Sequence, residues 1–153
     1  MKYTLDIEMT VAADGAALWQ AWTDMERFPS WDSREEETGL NGPFQAGTTG
    51  WSKQRGTPRS PFTITAVTPR RHWQVETPLP GGKLVIDHRM DEAGDGQVRL
   101  AKRYVAHGPM AVAFRVYYGR KIRREMPDSF AALVAEANRL HAAADHPQSA
   151  AAA

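Results

Sequence analysis

The chain has 153 residues, 42% of them hydrophobic, and its 19 basic and 18 acidic residues leave a net charge of +1. That length suits one domain burying on the order of two-thirds of its unfolded surface, and the balanced charge argues against a nucleic-acid partner. The absence of cysteine excludes disulfides and thiol catalysis.

Tyr3, Leu5, Ile7, Met9 and Val11 alternate with polar residues, the period of a half-buried strand. This opening lacks the continuous apolar run of a signal peptide, and no segment approaches the roughly 20 apolar residues of a membrane span. A soluble, cytoplasmic protein without stable membrane insertion is expected. Asp14 fits an N-cap for a short helix over Gly15 to Thr23, on which Leu18, Trp19 and Trp22 share a side. Thr23-Asp-Met-Glu26 matches a capping box and predicts a second short helix, limited by Pro29.

Strands follow. Glu35 to Leu40 is one, Asn41-Gly42-Pro43 is turn chemistry, and Thr48 to Gln54 is the next. Phe62, Ile64 and Ala66 alternate with Thr63, Thr65 and Val67; Trp73 and Val75 alternate with His72, Gln74 and Glu76. Pro80-Gly81-Gly82 turns the chain into a strand whose one face holds Leu84, Ile86, His88 and Met90. Gly94-Asp95-Gly96 is a strong hairpin signal, after which Val98, Leu100, Lys102, Tyr104 and Ala106 share a face. Gly108-Pro109 ends the strands. From Ala111 to about Ala143 the period is helical, with Tyr118, Ile122, Met126, Leu133, Ala137 and Leu140 near one stripe and Pro127 inside it, where a kink is expected.

One strand, two short helices, six strands and a long helix imply an α+β fold: a curved antiparallel sheet of about seven strands around one long C-terminal helix. A single domain over 1–142 and a disordered tail over 143–153 are expected. A sheet curved around one helix leaves a cavity, the usual place for a ligand.

The run Leu18-Trp-x-x-Trp22-Thr-Asp-x-x-x-Phe28-Pro29-x-Trp31 resembles the N-terminal signature of the START-like, or SRPBCC, superfamily. The strand run and the closing Met126-Pro127-x-x-Phe130-x-x-Leu133 resemble its polyketide cyclase/dehydrase and lipid-transport branch. The resemblance covers about Tyr3 to Leu140 and implies the helix-grip (Bet v 1/START-like) fold. It also implies a cavity for a small hydrophobic molecule, with no cofactor. It places the first helices at the cavity mouth, with Trp19 and Trp22 mainly packing and Trp31 poised to touch ligand.

Polar residues on inward positions are the candidates for chemistry. His88 would serve as a general acid or base near neutral pH, against the alternative of a hydrogen-bonded core histidine. Tyr104 would donate to a ligand carbonyl, or be a core tyrosine. Lys102 either snorkels out or, if buried, needs a carboxylate; strand parity offers Glu36. Arg115 and Tyr118 start the long helix near its inner stripe, where an arginine would hold a carboxylate or phenolate. Thus His88, Tyr104 and Arg115 are the catalytic candidates. Trp31, Trp51, Phe62, Trp73, Ile86, Lys102, Tyr118 and Ile122 complete the expected ligand wall. The basic run Arg120-Lys121-x-Arg123-Arg124 reads as a solvated outer face, or one drawn to an acidic partner or membrane surface. Asp87, His88, Asp91, Glu92 and Asp95 lack ligand geometry, because alternation splits the first two and the last three crowd a hairpin tip, so no metal site is expected.

Three functions remain open: a carrier or sensor of a small hydrophobic or aromatic ligand, a polyketide cyclase/dehydratase-like enzyme, and a module of the Hsp90-activator kind that works through its surface. Titratable groups converging on one buried spot would favour the enzyme. The ligand's identity and the oligomeric state are not legible.

Overall fold

The computed structural model describes residues 1–145. The chain runs β1 (Lys2–Ala12), α1 (Gly15–Thr23), a 3-10 turn (Met25–Arg27) and α2 (Phe28–Trp31), then β2 (Glu35–Leu40), β3 (Thr49–Gln54), β4 (Ser60–Thr68), β5 (His72–Leu79), β6 (Gly82–Gly94) and β7 (Gln97–His107). A C-terminal helix closes it in three runs: α3 (Ala111–Ala113), a π turn (Phe114–Tyr118) and α4 (Gly119–Asp145). The seven strands form one curled antiparallel sheet in the order β1-β7-β6-β5-β4-β3-β2. Its inner face packs on α1 and α4 through Leu5, Ile64, Trp73, Met90 and Leu100 from the strands, Leu18 and Trp22 from α1, and Met126, Phe130 and Leu133 from α4.

Local chemistry explains the boundaries. Asp14 caps α1, its carboxylate accepting the Ala17 N–H at 3.0 Å. Gly108, at φ +94°, ends β7; a Cβ there would sit 2.5 Å from the Gly81 carbonyl, so only glycine allows the β5–β6 hairpin to approach. The helix starts three residues later, as the Gly108-Pro109 break predicts. Glu136, buried on α4, accepts from Arg139 at 2.7 and 2.9 Å and from Arg27 at 3.3 Å, which ties α4 to the 3-10 turn. Those bonds, Arg139's first, hold its carboxyl below the ordinary range.

Several expectations are corrected. The capping box does not form: Thr23 still belongs to α1 and its hydroxyl donates back to the Trp19 carbonyl at 2.8 Å. Pro29 opens α2 instead of limiting it, since the first turn has no use for its missing N–H. Register shifts in β2, between Glu35 and Glu37, and in β4, between Ile64 and Ala66, reverse the expected alternation. After the second, Val67 rather than Ala66 lies opposite Trp73. α4 contains Pro127, which is exposed, and ends at Asp145, two residues past the expected end near Ala143. The rest of the expected tail, 146–153, lies outside the described residues.

Candidate functional site

The inner face of the sheet is not uniformly apolar. His88 on β6 lies opposite Trp73 of β5 and Lys102 of β7. Alternation turns all three inward. The His88 ring stacks flat on the Trp73 indole, with centroids 3.4 Å apart and an interplanar angle of 4°, and meets the edge of Trp22 at 5.5 Å. Its Nδ1 lies 3.3 Å from the Trp73 carbonyl. A carbonyl only accepts, so Nδ1 carries the proton and Nε2 keeps a lone pair. Burial, then the Lys102 ammonium, push the imidazole well below its ordinary pKa, so His88 is neutral at pH 7.

The β2 bulge changes which glutamate shares the inner face with Lys102. With one residue extra, Glu35 takes the inward position opposite Gln54, while Glu36 is exposed and pairs with Lys53. Glu35 Oε1 accepts from Gln54 Nε2 at 3.1 Å; its Oε2 is buried with no hydrogen-bond partner. Burial raises the Glu35 carboxyl above the ordinary range and Lys102 only partly offsets that. Lys102 itself is half-buried, its Nζ 5.8 Å from the Tyr104 ring centroid.

Before Glu35 the chain makes a tight polar step. Asp32 Oδ1 accepts the Arg34 backbone N–H at 2.9 Å, and Oδ2 accepts the Ser129 hydroxyl of α4 at 2.8 Å. Burial works against the Arg34 guanidinium, but Tyr104, Asp32, Glu35 and Glu125 outweigh it and raise its pKa. The Trp31 indole N–H and Arg34 Nε are also buried without hydrogen-bond partners, although Asp32 Oδ1 stands 3.9 Å from that Nε.

Two cavities meet at the Asp32–Ser129 pair. The inner pocket, about 20 Å³, holds one water's worth of space. Trp22, Phe28, Trp31 and Phe130 give it aromatic walls; Glu35, His88 and Lys102 give it polar groups. The outer cleft, about 470 Å³, lies between α4 and the β3–β4 turn, lined by Arg34, Arg55, Tyr117, Lys121, Glu125 and Asp128 among others. That volume falls in the range of small-molecule sites. A neutral imidazole, a carboxyl held above its usual range and an ammonium around one aromatic pocket are equipment for hydrogen-bonding a ligand or moving its proton.

Of the expected ligand wall, Trp31, His88 and Lys102 line the inner pocket. Tyr104 is buried on the same face but lines neither cavity. Phe62, Trp73 and Ile86 are core. Trp51 is on the opposite face: it lies across from Gly39 and Pro61, covers Gly39 so closely that a Cβ would clash at 2.2 Å, and carries Arg59 over its ring at 5.0 Å. Gly50, not Trp51, takes the inward position opposite Phe62, which turns Trp51 to the outer face. Arg115 is exposed, Tyr118 packs on Phe114, and Ile122 packs between apolar clusters. The π turn carries one more residue per loop than an α turn and rotates this stretch, so Tyr117 is the tyrosine on the cleft. Trp22, Phe28, Glu35 and the Asp32–Ser129 pair went unassigned to the site; only the Phe28-Pro-x-Trp31-Asp32 cluster signals them in sequence.

No family model and no curated protein matches the chain. Solved structures do. Ara h 8.0201 superposes with a TM-score of 0.71 at 15% identity, over 91% of this chain and 99% of that one. The Zhui aromatase/cyclase from Streptomyces sp. R1128 gives 0.74 at 13% identity, over 91% and 95%. A norcoclaurine synthase point mutant from Thalictrum flavum, in complex with a transition-state analogue, gives 0.69 at 12%, over 92% and 97%. At such identities the likeness speaks to architecture: the chain has the helix-grip, Bet v 1/START-like fold.

Proposed function

We propose that the protein binds a small, mainly aromatic molecule bearing a hydrogen-bonding head group, as a carrier or sensor. The observation that carries this reading is an aromatic-walled pocket with unsatisfied polar atoms, Glu35 Oε2 and Trp31 Nε1, beside a cleft of ligand size. In this reading the head group reaches the pocket between Glu35 and Lys102, and the rest of the ligand lies along the cleft beside Tyr117. The similarity in fold to an aromatase/cyclase and a norcoclaurine synthase supports a cavity of this kind.

Trp22 and Trp31 line the pocket, so tryptophan fluorescence reports on it. Titration with naphthol and naphthoic acid should give saturable quenching that Trp31→Ala weakens about tenfold. Linear, unsaturable quenching by both probes, identical in the variant, overturns the reading.

An enzyme of the cyclase/dehydratase type is the second reading, favoured by the convergence of Glu35, His88 and Lys102 on one pocket. Lys102 would polarise a carbonyl and Glu35 or His88 take the adjacent carbon's proton. Incubating an aromatic ketone in deuterated buffer measures that exchange; Glu35→Gln should slow it by roughly 100-fold, and a rate no higher than in buffer alone removes the reading.

A further inference from the structure

The four large hydrophobic residues that stand exposed among the described residues are Met1, Val112, Val116 and Tyr117. They gather at one pole. Val112, Val116 and Tyr117 follow one another along the start of the C-terminal helix, and the Met1 carbonyl accepts the Gly108 N–H at 2.8 Å just before it. The inward side of this stretch is already used by Ala111, Phe114 and Gly119, which are buried. The valines, 46% and 58% exposed, therefore serve no packing within the chain.

The same face is basic. Arg115, Arg120, Arg123 and Arg124 are exposed, Lys121 is half-buried, and no acidic residue occurs between Ala111 and Arg124. Only Lys121 of the five has a carboxylate within 4.0 Å among the described residues, Glu125 at 3.8 Å. In a chain whose net charge is +1, this is a concentrated positive field.

We propose that this pole docks on an anionic lipid surface. The apolar residues stand on the outward face of a helix, a ridge that enters the boundary between headgroups and acyl chains, while the arginines beside them pair with acidic headgroups. Among the described residues no helix is long and apolar enough to cross a membrane, so the contact is peripheral. Tyr117 and Lys121 also line the outer cleft, so docking brings the cleft mouth to the lipid surface. This inference stands independently of the ligand assigned to the cleft.

The test is co-sedimentation of the full chain with vesicles of phosphatidylcholine alone or with about one-third phosphatidylserine. Binding is expected only to the anionic vesicles, falling as salt rises. Arg123→Glu with Arg124→Glu should weaken it at least about 30-fold, at roughly 1 kcal/mol per basic residue near the surface. Val112→Ser with Val116→Ser should weaken it about tenfold by removing apolar area. All four positions are exposed, so thermal unfolding should confirm an intact fold in both variants. Equal sedimentation with neutral vesicles, no sedimentation with either, or anionic binding that the serine variant leaves unchanged overturns the proposal. So does equally tight binding to polyglutamate, which would make the patch a site for acidic protein.

Discussion

The inner surface of this fold has a dry half and a wet half. In the dry half, Val98, Leu100, Met90 and Ile64 face Leu18 and Leu133, and each is at most 1% exposed. In the wet half, within five residues of chain, Trp31 Nε1, Arg34 Nε and Glu35 Oε2 are buried without hydrogen-bond partners, and the fourth such atom among the described residues, Trp73 Nε1, belongs to the ring under His88. The first half satisfies every rule of packing; the second breaks the rule that buried polar atoms are paired. Stability is therefore concentrated in one half and binding chemistry in the other, the division expected where a site is held at a cost to the fold.

The dry half should show the largest effect. Leu100→Ala removes a side chain with no exposure on β7, between β1 and β6, and should destabilise the protein by about 2–5 kcal/mol, measured by denaturant unfolding. A loss below about 1 kcal/mol would mean that this half collapses around a cavity and is not tightly packed. In the wet half both oxygens of Asp32 are satisfied, and they join the segment before β2 to α4 through Arg34 N–H and Ser129 Oγ. Asp32→Ala strands both donors and should cost about 1–3 kcal/mol. The same variant removes the wall between pocket and cleft, so its near-ultraviolet circular dichroism should change around Trp31. An unchanged spectrum would separate the hydrogen bonds from the shape of the pocket.

The two halves also differ in how well the sequence announces them. β1, β5, β6 and β7 alternate without interruption across the site, so period alone puts Leu5, Trp73, His88, Lys102 and Leu100 on the inner face. α1 is equally plain, from its Asp14 cap to Thr23. The wet half is assembled from irregularities. A bulge brings in Glu35 in place of Glu36, a π turn replaces Tyr118 by Tyr117 on the cleft, and Trp51 is displaced to the outer face by a glycine on the inner one. A bulge or a π turn inserts one residue, which inverts or rotates every assignment beyond it, and no residue in Arg34-Glu-Glu-Glu37 marks where the insertion falls. The identity of the pocket's carboxylate is thus a property of the register, which only tertiary packing sets.

The smallest predicted effects have opposite signs, and they test the comparison most closely. Both groups line the pocket: burial and the Lys102 ammonium hold His88 neutral, and burial holds Glu35 above its ordinary range. For His88 the folded pKa is depressed. As pH falls below the ordinary imidazole value the unfolded chain takes up a proton that the folded chain refuses, so stability is lost on acidification. For Glu35 the folded pKa is raised. As pH climbs past the ordinary carboxylate value the unfolded chain ionises first, so stability is lost on alkalinisation until the folded carboxyl ionises too. Glu35→Gln removes the second cost while its amide oxygen still accepts from Gln54. The variant should therefore gain in Tm relative to the parent, and gain more at pH 8 than at pH 5, by a few degrees at most for a chain of this size. His88→Gln should lose about 0.5–1.5 kcal/mol of stability at neutral pH with its stacking on Trp73, yet flatten the acid limb of the curve. If Glu35→Gln instead loses stability more at pH 8 than at pH 5, the carboxylate is ionised and gripped by Lys102. The pocket is then a closed ion pair with no free acceptor to offer a ligand.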